Sequence, residues 1–421
     1  MTKDGFKLLT QNQPLEAVKL FEQYTEKNPQ ISKYWHGLAL AHALGKQSES
    51  FLKTIDNAKY FCQPFDTFLI NLFLDLVKRP LGYQQAEVLA QTLPANHQAK
   101  VIATYHAGCS HLLRNKVESA VKLFKQFQNH IVAQKDSFVI SNNENLNIMF
   151  RHSLLIESPQ LVEKIRNEKL SSFTEYNPKI NFDKEPFTPK NEGVPVLITC
   201  ANGAYFQRFG PQFIESVIKF SPNSILHIHI AEPTTKTIEY IQAIRKKHPN
   251  SKLNFSQEVD SPFSGSVYFA CNRFLLADKF LNLYQTKICI FDIDGELVSG
   301  IEKLLIATNH SDFACFTSGK AEPASIYLAG ITCFADSALS RQLISLIKKI
   351  ILLKLKLPIG VSWLLDQAAL FSAIEYYKTK DTFKFKNINK NTNLEMTDFF
   401  QLHENPEEKL LLMRGNSSSI T

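Results

Sequence analysis

Apolar positions in the first part of the chain recur at the three- and four-residue spacing of amphipathic helices. Four stretches carry this pattern most clearly: PLEAVKLFEQYTEKNP, ESFLKTIDNAKYFCQP, QQAEVLAQTLPANHQ and VESAVKLFKQFQNH. Aligning Ala17, Phe51, Ala86 and Ala120 gives steps of 34, 35 and 34 residues. A period of this length is typical of a helix-turn-helix unit whose apolar faces are buried only when neighbouring units stack. The pattern therefore predicts an all-helical array.

Glycine and proline positions keep the same register. Gly5 and Gly108 each lie twelve residues before an aligned alanine, and Pro29 and Pro64 close two of the units. In this respect residues 1–135 resemble the tetratricopeptide repeat family. The resemblance implies a superhelix with a concave surface for a peptide, a protein or another copy of the chain. An array this short could hold the acceptor of a reaction, or serve only as a scaffold or homo-oligomer contact, and both alternatives stay open.

The pattern changes after residue 150. SPQLVEKIRNEKL still indicates a helix, whereas TEYNPKINFDKEPFTPKNEGVP is rich in Pro, Asn and Lys and has few clustered apolar residues. Such a composition is typical of a connector between domains. We therefore interpret the chain as a helical repeat domain at 1–150, a helix and linker at 151–193, and a second domain at 194–421.

In the second domain, short apolar runs alternate with amphipathic stretches. VPVLITCA, SILHIHIAE, KLNFSQEV and KICIFDID favour strands, and the segments between them favour helices. KICIFDID is continuously apolar up to its carboxylates, as interior strands of a parallel sheet tend to be. The alternation predicts an open α/β sheet with helices on both faces and ligands beyond the carboxyl ends of the strands.

Composition and charge limit the classes of partner. Hydrophobic residues make up 44% and charged residues 21% of the 421 residues, as expected of a soluble globular protein with more than one core. The net charge of +7 is mild and spread along the chain, which argues against a nucleic-acid partner. The apolar run IILLKLKLPIGVSWLL contains two lysines and a proline, so we expect a packed helix and no transmembrane segment. A peripheral membrane contact is the minor alternative.

The seven cysteines indicate the compartment. They are odd in number, form no C-x-x-C pair and lie mostly inside apolar stretches. This usage predicts reduced, buried thiols in a cytoplasmic protein. The N-terminal segment MTKDGFKLLTQNQPLEAVKLF has no basic region followed by an apolar core, so no secretory signal is expected.

Two carboxylates, Asp292 and Asp294, follow the apolar run ICIF. On a strand, residues i and i+2 point to the same side, so both carboxylates would face one locus and could hold one divalent cation. A bound cation would also remove the repulsion between two anions this close together. Asp and Gly are ordinary strand-ending residues as well, so a simple turn is the alternative.

Further segments accompany this motif in a fixed order. The stretch SVYFACNRFLLADKFLNLYQTKICIFDIDGELVSGIEKLL is preceded by LITCANGAYFQRFGPQFIESV and followed by YLAGITCFADSALSRQLI, WLLDQAALFSAI and LLLMRGNSS. The set resembles nucleotide-sugar glycosyltransferases of the GT-A fold, especially relatives of glycogenin and of bacterial lipopolysaccharide galactosyl- and glucosyltransferases. The resemblance covers about residues 194–416. It implies an α/β GT-A domain with a Rossmann-like mixed sheet, preceded here by the all-α repeat array.

The resemblance also implies roles around the two carboxylates. Asp294 would bind Mn²⁺ or Mg²⁺ bridging the two phosphates of the donor, and Asp292 would contact the ribose or the metal, with Ile293 between them in the donor site. A divalent Lewis acid stabilises the charge that grows on a departing diphosphate. The base-binding loop would comprise Thr199, Ala201, Asn202 and Tyr205, for which a plain strand-to-helix connection is the alternative.

Three other positions match the donor-facing part of the pattern. Arg273 would reach the sugar or the phosphates from the start of a helix, or else form a surface pair with Asp278. Ala329 and Gly330 would let the backbone approach the donor sugar. Relatives usually carry Asn where this chain has Leu328, which puts the accepted sugar in doubt.

The remaining matches lie nearer the end of the chain. Asp366 and Gln367 fit a pair that faces the sugar hydroxyls and the acceptor, although Asp366 could also cap a helix. Arg414 would bind phosphate, since a guanidinium matches it bidentately. His403 does not have the usual spacing of the closing segment, and we interpret it as a surface histidine.

These features predict a metal-dependent transferase that moves a hexose from a UDP-sugar to a hydroxyl of a protein or a surface glycan. Arg273, Asp366 and Gln367 are the expected catalytic residues. The alternative is an adaptor protein whose transferase-like domain is inactive. A nucleotidyltransferase is less favoured, because CANGAYFQ lacks a glycine-rich basic loop.

Overall fold

The computed structural model describes residues 2–77, 80–94, 97–133, 144–169, 176–189, 194–258, 260–261, 263–318, 326–356 and 364–402. They form two compact units, one that ends at Ser158 and one that starts at Pro159. The segment interpreted as helix and linker, 151–193, contributes residues to both units.

Every secondary-structure element in the described residues of the first unit is a helix. Its helices are α1 (Thr2–Thr10), α2 (Pro14–Lys27), α3 (Ser32–Leu44), α4 (Ser48–Phe61), α5 (Phe65–Val77), α6 (Pro80–Thr92), α7 (Gln98–Leu113), α8 (Val117–Ala133) and α9 (Glu144–Leu155). The odd-numbered helices α1, α3, α5 and α7 pack on one another in sequence, and each also packs against the next helix along the chain. This is a stack of helix pairs, as the periodicity predicts. Whether the stack is of the tetratricopeptide class stays a prediction.

Aromatic rings pack on glycines in the first and the fourth unit of the repeat. The aligned residues Ala17, Phe51, Ala86 and Ala120 are all fully buried. A Cβ at Gly5 would lie 2.6 Å from the ring of Phe21, and one at Gly108 would lie 2.6 Å from the ring of Phe124. Each glycine therefore leaves room for a ring sixteen residues further along the chain, and the same pairing recurs at the two ends of the array.

The second unit contains an eight-stranded mixed sheet. Its strands are β1 (Ile180–Phe182), β2 (Val196–Asn202), β3 (Ile225–Ala231), β4 (Leu253–Glu258), β5 (Ile288–Phe291), β7 (Phe313–Thr317), β8 (Tyr327–Phe334) and β9 (Phe385–Asn387), while β6 (Gly295–Leu297) and β10 (Phe400–Leu402) form a separate pair. The strand order is β1-β4-β3-β2-β5-β8-β7-β9. Strands β4, β3, β2 and β5 are parallel, whereas β1 and β8 run antiparallel to their neighbours.

Helices cover both faces of this sheet. They are α10 (Pro159–Asn167), α11 (Gly203–Phe220), α12 (Thr235–Lys247), α13 (Ser266–Leu275), α14 (Ala277–Tyr284), α15 (Glu302–Ala307), α16 (Ala338–Leu355), α17 (Leu365–Lys378) and α18 (Ile388–Asn391), with a 3-10 turn at Met396–Asp398. Phe213 of α11 packs against Phe291 of β5, with ring centroids 6.3 Å apart. On the opposite face, Tyr284 of α14 bonds to His227 of β3.

Several local predictions need correction. The strand expected at KICIFDID ends at Phe291, before the carboxylates. Arg273 lies in the last turn of α13 and does not start a helix. Residues 180–182, within the segment interpreted as a linker, form the edge strand β1 and pair with β4.

The cysteines and the lengths of the apolar helices bear on two further predictions. All seven cysteines are free thiols, and all but Cys200 are buried. Among the helices that the structure describes, none is long and apolar enough to cross a bilayer.

Candidate active site

Arg273 joins two carboxylates that are far apart in sequence. Its guanidinium forms an ion pair with Asp292, at the end of β5, and its Nη2 donates to Oδ2 of Asp366 at 2.7 Å. The Arg273 side chain is only 10% exposed, and that of Asp366 only 4%. The Arg273 Nε–H has no hydrogen-bond partner within the described part of the chain. The structure thus buries a cation between two anions and leaves one of its donors unused.

The alternative for Arg273, a surface pair with Asp278, does not form. Asp278 instead accepts from Lys348 Nζ at 2.9 Å. The Arg273 side chain therefore lies at the carboxyl end of the sheet, where the α/β pattern predicts a ligand site.

Backbone pairing brings Asp292 against β8. The Asp292 N–H donates to the carbonyl of Gly330 at 3.0 Å, so the β5–β8 pairing continues one residue past the strand. A Cβ at Gly330 would lie 3.1 Å from Asp292 Oδ2. Gly330 therefore allows the carboxylate to lie directly on the strand. Ala329, by contrast, is 3% exposed and packs inside the protein.

Asp294 has a partner from the first strand-to-helix connection. The Tyr205 hydroxyl donates to Asp294 Oδ2 at 2.8 Å. Asn202 caps the N-terminus of α11, where its side-chain oxygen accepts from the Tyr205 N–H at 2.8 Å. Burial, and then the charge of Asp294, raise the pKa of the Tyr205 phenol, so it remains a donor. Ile293 is buried between the two aspartates and anchors the bend in the core.

Asp366 lies in the first turn of α17 without capping that helix. Leu364 occupies the N-cap position, and Asp366 Oδ1 accepts from the Gln367 N–H at 2.8 Å. Burial raises the pKa of Asp366, and the Arg273 charge opposes that shift. The carboxylate is thus held by one cation and one backbone amide.

The other predicted residues lie in different surroundings. Thr199 and Ala201 are buried in β2, and the Thr199 hydroxyl has no hydrogen-bond partner among the residues described. A ligand could contact these two residues mainly through their backbone. Arg414 and His403 lie outside the described residues.

One neighbour of the site carried no signal in the sequence. Met396 approaches Gly330 closely enough that a Cβ there would lie 3.7 Å from the Met396 sulfur. It belongs to the segment that precedes β10 and packs on the core of the sheet. Nothing in the local pattern around Met396 distinguishes it from an ordinary core residue.

Asp292 and Asp294 are the predicted ligands of a divalent cation. No group of three or more His, Cys, Asp or Glu side chains suited to a metal occurs in the ranges that the structure describes. Mg²⁺ typically takes one or two carboxylates and completes its shell with water and substrate phosphates. Each carboxylate has two oxygens and can accept several bonds, so the contacts to Arg273 and Tyr205 leave this chemistry intact. In residue type and number the two aspartates match the carboxylates that such a cation takes, and a metal at this position stays a prediction.

The comparisons with known proteins give solved structures of low similarity. No family model matches the chain, and no curated protein sequence matches it. Among solved structures it is similar to the glycosyltransferase GlyE of Streptococcus pneumoniae TIGR4, at 13% identity and a TM-score of 0.33, over 46% of this chain and 45% of GlyE. It is also similar to the bifunctional glycosyltransferase WbbM, at 14% identity and a TM-score of 0.34, over 72% of this chain and 59% of WbbM.

A mouse enzyme, xyloside xylosyltransferase 1, gives a comparable result. The identity is 12% and the TM-score 0.31, over 46% of this chain and 84% of that enzyme. The chain spans less than half the length of GlyE. Because the likeness is this limited, the function has to be inferred from the geometry of the site.

Proposed function

We propose that the second unit is a nucleotide-sugar glycosyltransferase of the GT-A type. It would move a hexose from a UDP-sugar to an acceptor hydroxyl with the help of Mn²⁺ or Mg²⁺. The observation that carries the proposal is the buried Arg273 guanidinium between Asp292 and Asp366, beside Asp294, at the carboxyl end of parallel strand β5. The ordered motifs of residues 194–416 support the same function.

In this proposal Arg273 faces the diphosphate of the donor. A guanidinium has five N–H donors that can bind phosphate oxygens; in Arg273 each Nη contacts one carboxylate, and the Nε–H has no hydrogen-bond partner among the described residues. The two carboxylates limit its motion, so its charge is already oriented before a ligand arrives. Orientation in advance is what makes a fixed charge effective when negative charge develops on a leaving group.

Asp292 and Asp294 would hold the divalent ion. When bound, such an ion acts as a Lewis acid that stabilises the departing diphosphate. The Tyr205 hydroxyl fixes the orientation of the Asp294 carboxylate, and Asn202 fixes Tyr205. These residues would therefore set the direction in which Asp294 presents its oxygens.

Asp366 and Gln367 would face the sugar and the acceptor. The Asp366 carboxylate, in the N-terminal turn of α17, contacts Nη2 of Arg273, whereas Asp292 contacts Nη1. A carboxylate held in this way can accept hydrogen bonds from sugar hydroxyls. The missing side chain of Gly330 leaves room for the Asp292 carboxylate on β8, and Met396 borders the same space.

The acceptor would be a protein or a surface glycan. The first unit has a cleft of about 880 Å³ on its odd-numbered helices, lined among others by Lys3, Lys7, Lys33, Phe6 and Phe68. A basic cleft with aromatic walls could hold an acceptor, and it also favours the second candidate function, an adaptor with an inactive transferase-like domain. Free, buried cysteines are consistent with a cytoplasmic location.

Calorimetry with UDP and UDP-sugars, with and without Mn²⁺, tests the proposal. A transferase should bind the nucleotide more tightly when the metal is present, and incubation with a UDP-sugar should release UDP. A pure adaptor should show neither response. Thermal stabilisation across a set of sugar nucleotides would then identify the donor, since a ligand that binds only the native state raises its melting temperature.

A further inference from the structure

A chain of polar side chains crosses the interior of the second unit on the face covered by α13 and α14. It runs through the side chains of Asn254, Tyr284, His227, Ser256, His229 and Glu258. The histidines, Ser256, Asn254 and Glu258 are each at most 1% exposed. Burying this many polar groups is unfavourable unless every donor meets an acceptor. The position of each hydrogen therefore matters.

Donor and acceptor roles can be assigned from the Asn254 end. Its side-chain oxygen accepts from the Phe187 N–H at 2.8 Å, so its nitrogen must be the group that donates to the Phe187 carbonyl and to the Tyr284 hydroxyl. Tyr284 then directs its own hydrogen to His227 Nδ1, 2.7 Å away. His227 is left with its hydrogen on Nε2, which donates to Ser256 at 2.7 Å.

The Glu258 end gives the same assignment. An ionised carboxylate only accepts, so His229 Nε2 carries a hydrogen and donates to Glu258 Oε2 at 3.3 Å. His229 Nδ1 then accepts from the Ser256 hydroxyl at 2.9 Å. Burial lowers the pKa of both histidines, which keeps them neutral and leaves each with one acceptor nitrogen. Every bond of the chain therefore points toward Glu258.

Glu258 also receives two donors from the helix that carries Arg273. The Tyr268 hydroxyl donates to Oε1 at 2.5 Å, and the Asn272 side-chain nitrogen donates to Oε2 at 3.0 Å. The oxygen of the same Asn272 amide accepts from the Tyr176 hydroxyl at 3.2 Å. Both ends of the amide are thus fixed, one residue before Arg273.

We infer that Glu258 is a positioning residue for Arg273. Its buried carboxylate draws Tyr268 and Asn272 toward β4, and this holds the last turn of α13 at the orientation from which Arg273 reaches both Asp292 and Asp366. The chain from Asn254 stabilises the carboxylate from the other side. The inference deepens the proposed function, because it explains how the phosphate-facing guanidinium is held, but its first test needs no substrate.

A double-mutant cycle provides that test. Arg273→Gln is made in the wild-type protein and in Glu258→Gln and Asn272→Ala backgrounds, and the midpoints of urea unfolding are compared. Ser256→Ala is the matched control, since it removes a hydroxyl from the same buried chain but keeps the three direct donors to Glu258, which are His229, Tyr268 and Asn272. We expect the shift caused by Arg273→Gln to shrink by at least half in both test backgrounds and to be unchanged in the control. Additive shifts in all three backgrounds would overturn the inference.

Hydrogen exchange locates the effect. In the ligand-free protein, amides of α13 should exchange faster in Glu258→Gln and Asn272→Ala than in Ser256→Ala at matched global stability. Equal exchange in the three variants would contradict a positioning role. The Asn272→Ala variant keeps the Glu258 carboxylate, so the comparison remains decisive even if Glu258→Gln does not fold.

Binding of UDP with Mn²⁺ separates this inference from the proposed function. If the wild type binds, the affinity should fall at least tenfold in Glu258→Gln and Asn272→Ala and less than twofold in Ser256→Ala. If the wild type does not bind, the transferase proposal fails, while the cycle and the exchange data still decide the role of Glu258.

Discussion

Nη2 of Arg273 lies 2.7 Å from Oδ2 of Asp366, although 93 residues separate them in the sequence. The contact joins the end of α13 to the beginning of α17, and Asp292 contacts the same guanidinium from the end of β5. Three elements of the second unit therefore meet through one side chain. Removing that side chain should affect stability and any phosphate binding together.

Arg273→Gln should lower the free energy of unfolding by about 3 kcal/mol, because it leaves the buried Asp366 carboxylate without its cation. Urea unfolding at neutral pH measures the loss. Adding Asp366→Asn to the same chain should recover much of it, since the unpaired charge is then gone. A double variant no more stable than Arg273→Gln alone would contradict the ion-pair explanation.

Asp294→Ala should abolish sugar transfer and metal-dependent hydrolysis of the donor while the protein remains folded. The expected cause is loss of a metal ligand. Activity assays with a UDP-sugar, together with circular dichroism, test both parts. Full activity in this variant would remove the metal role from Asp294.

Tyr205→Phe should weaken Mn²⁺-dependent UDP binding by about 10- to 100-fold, the usual effect of losing a group that orients a metal ligand. The variant keeps the ring and removes only the hydrogen bond to Asp294. Tyr240→Phe, on α12, is a control that removes a hydroxyl elsewhere in the unit. Equal affinities in the two variants would show that the Tyr205 hydroxyl has no such role.

Gly330→Ala should weaken UDP binding and cost about 1 kcal/mol of stability, because the new methyl group forces the Asp292 carboxylate to shift. Gly300→Ala is the matched control. A methyl group there would also meet a carboxylate, that of Glu302, but this side chain is exposed and can swing aside. Comparable losses in the two variants would argue against a specific contact at Gly330.

Glu258 should make the fold sensitive to acid. Burial alone would raise its pKa, but the hydrogen bonds from His229, Tyr268 and Asn272 outweigh that effect and lower it. Because the pKa is lower in the folded state, the carboxylate contributes stability above its unfolded pKa of about 4.3 and loses it as the pH falls through the folded value. The stability difference between wild type and Glu258→Gln should therefore shrink below that pH, as urea unfolding from pH 7 to 3 would show. A constant difference would contradict the lowered pKa.

Much of the fold can be read from local pattern. The 34-residue period predicts the helix pairs because each unit places buried apolar residues at the same positions, as at Ala17, Phe51, Ala86 and Ala120. The alternation of strands and helices after Val194 predicts the parallel centre of the sheet. The antiparallel β8 and the edge strand β1 could not be predicted in this way, since pairing direction depends on contacts between distant segments.

The candidate site, like the fold, can be predicted from the sequence only in part. The resemblance identified Arg273, Asp292 and Asp366, but not that one guanidinium joins them. The run LHIHIA alternates polar and apolar residues, which by itself normally indicates a strand with one solvent-exposed face. Here both histidines are buried, since Ser256, Tyr284 and Glu258 satisfy their nitrogens. Compensation of this kind requires partners from β4 and α14 and leaves no trace in the pattern of β3 itself.

The uniform direction of the hydrogen bonds from Asn254 to Glu258 has an electrical consequence. Passing a proton along the row would reverse every dipole in it and leave the Asn254 amide facing a group that no longer accepts. The row of hydrogen bonds therefore does not transfer protons from one end to the other. The Glu258 carboxylate at the end of the row therefore stays ionised at neutral pH and provides a fixed negative charge beside α13, the helix that carries Arg273.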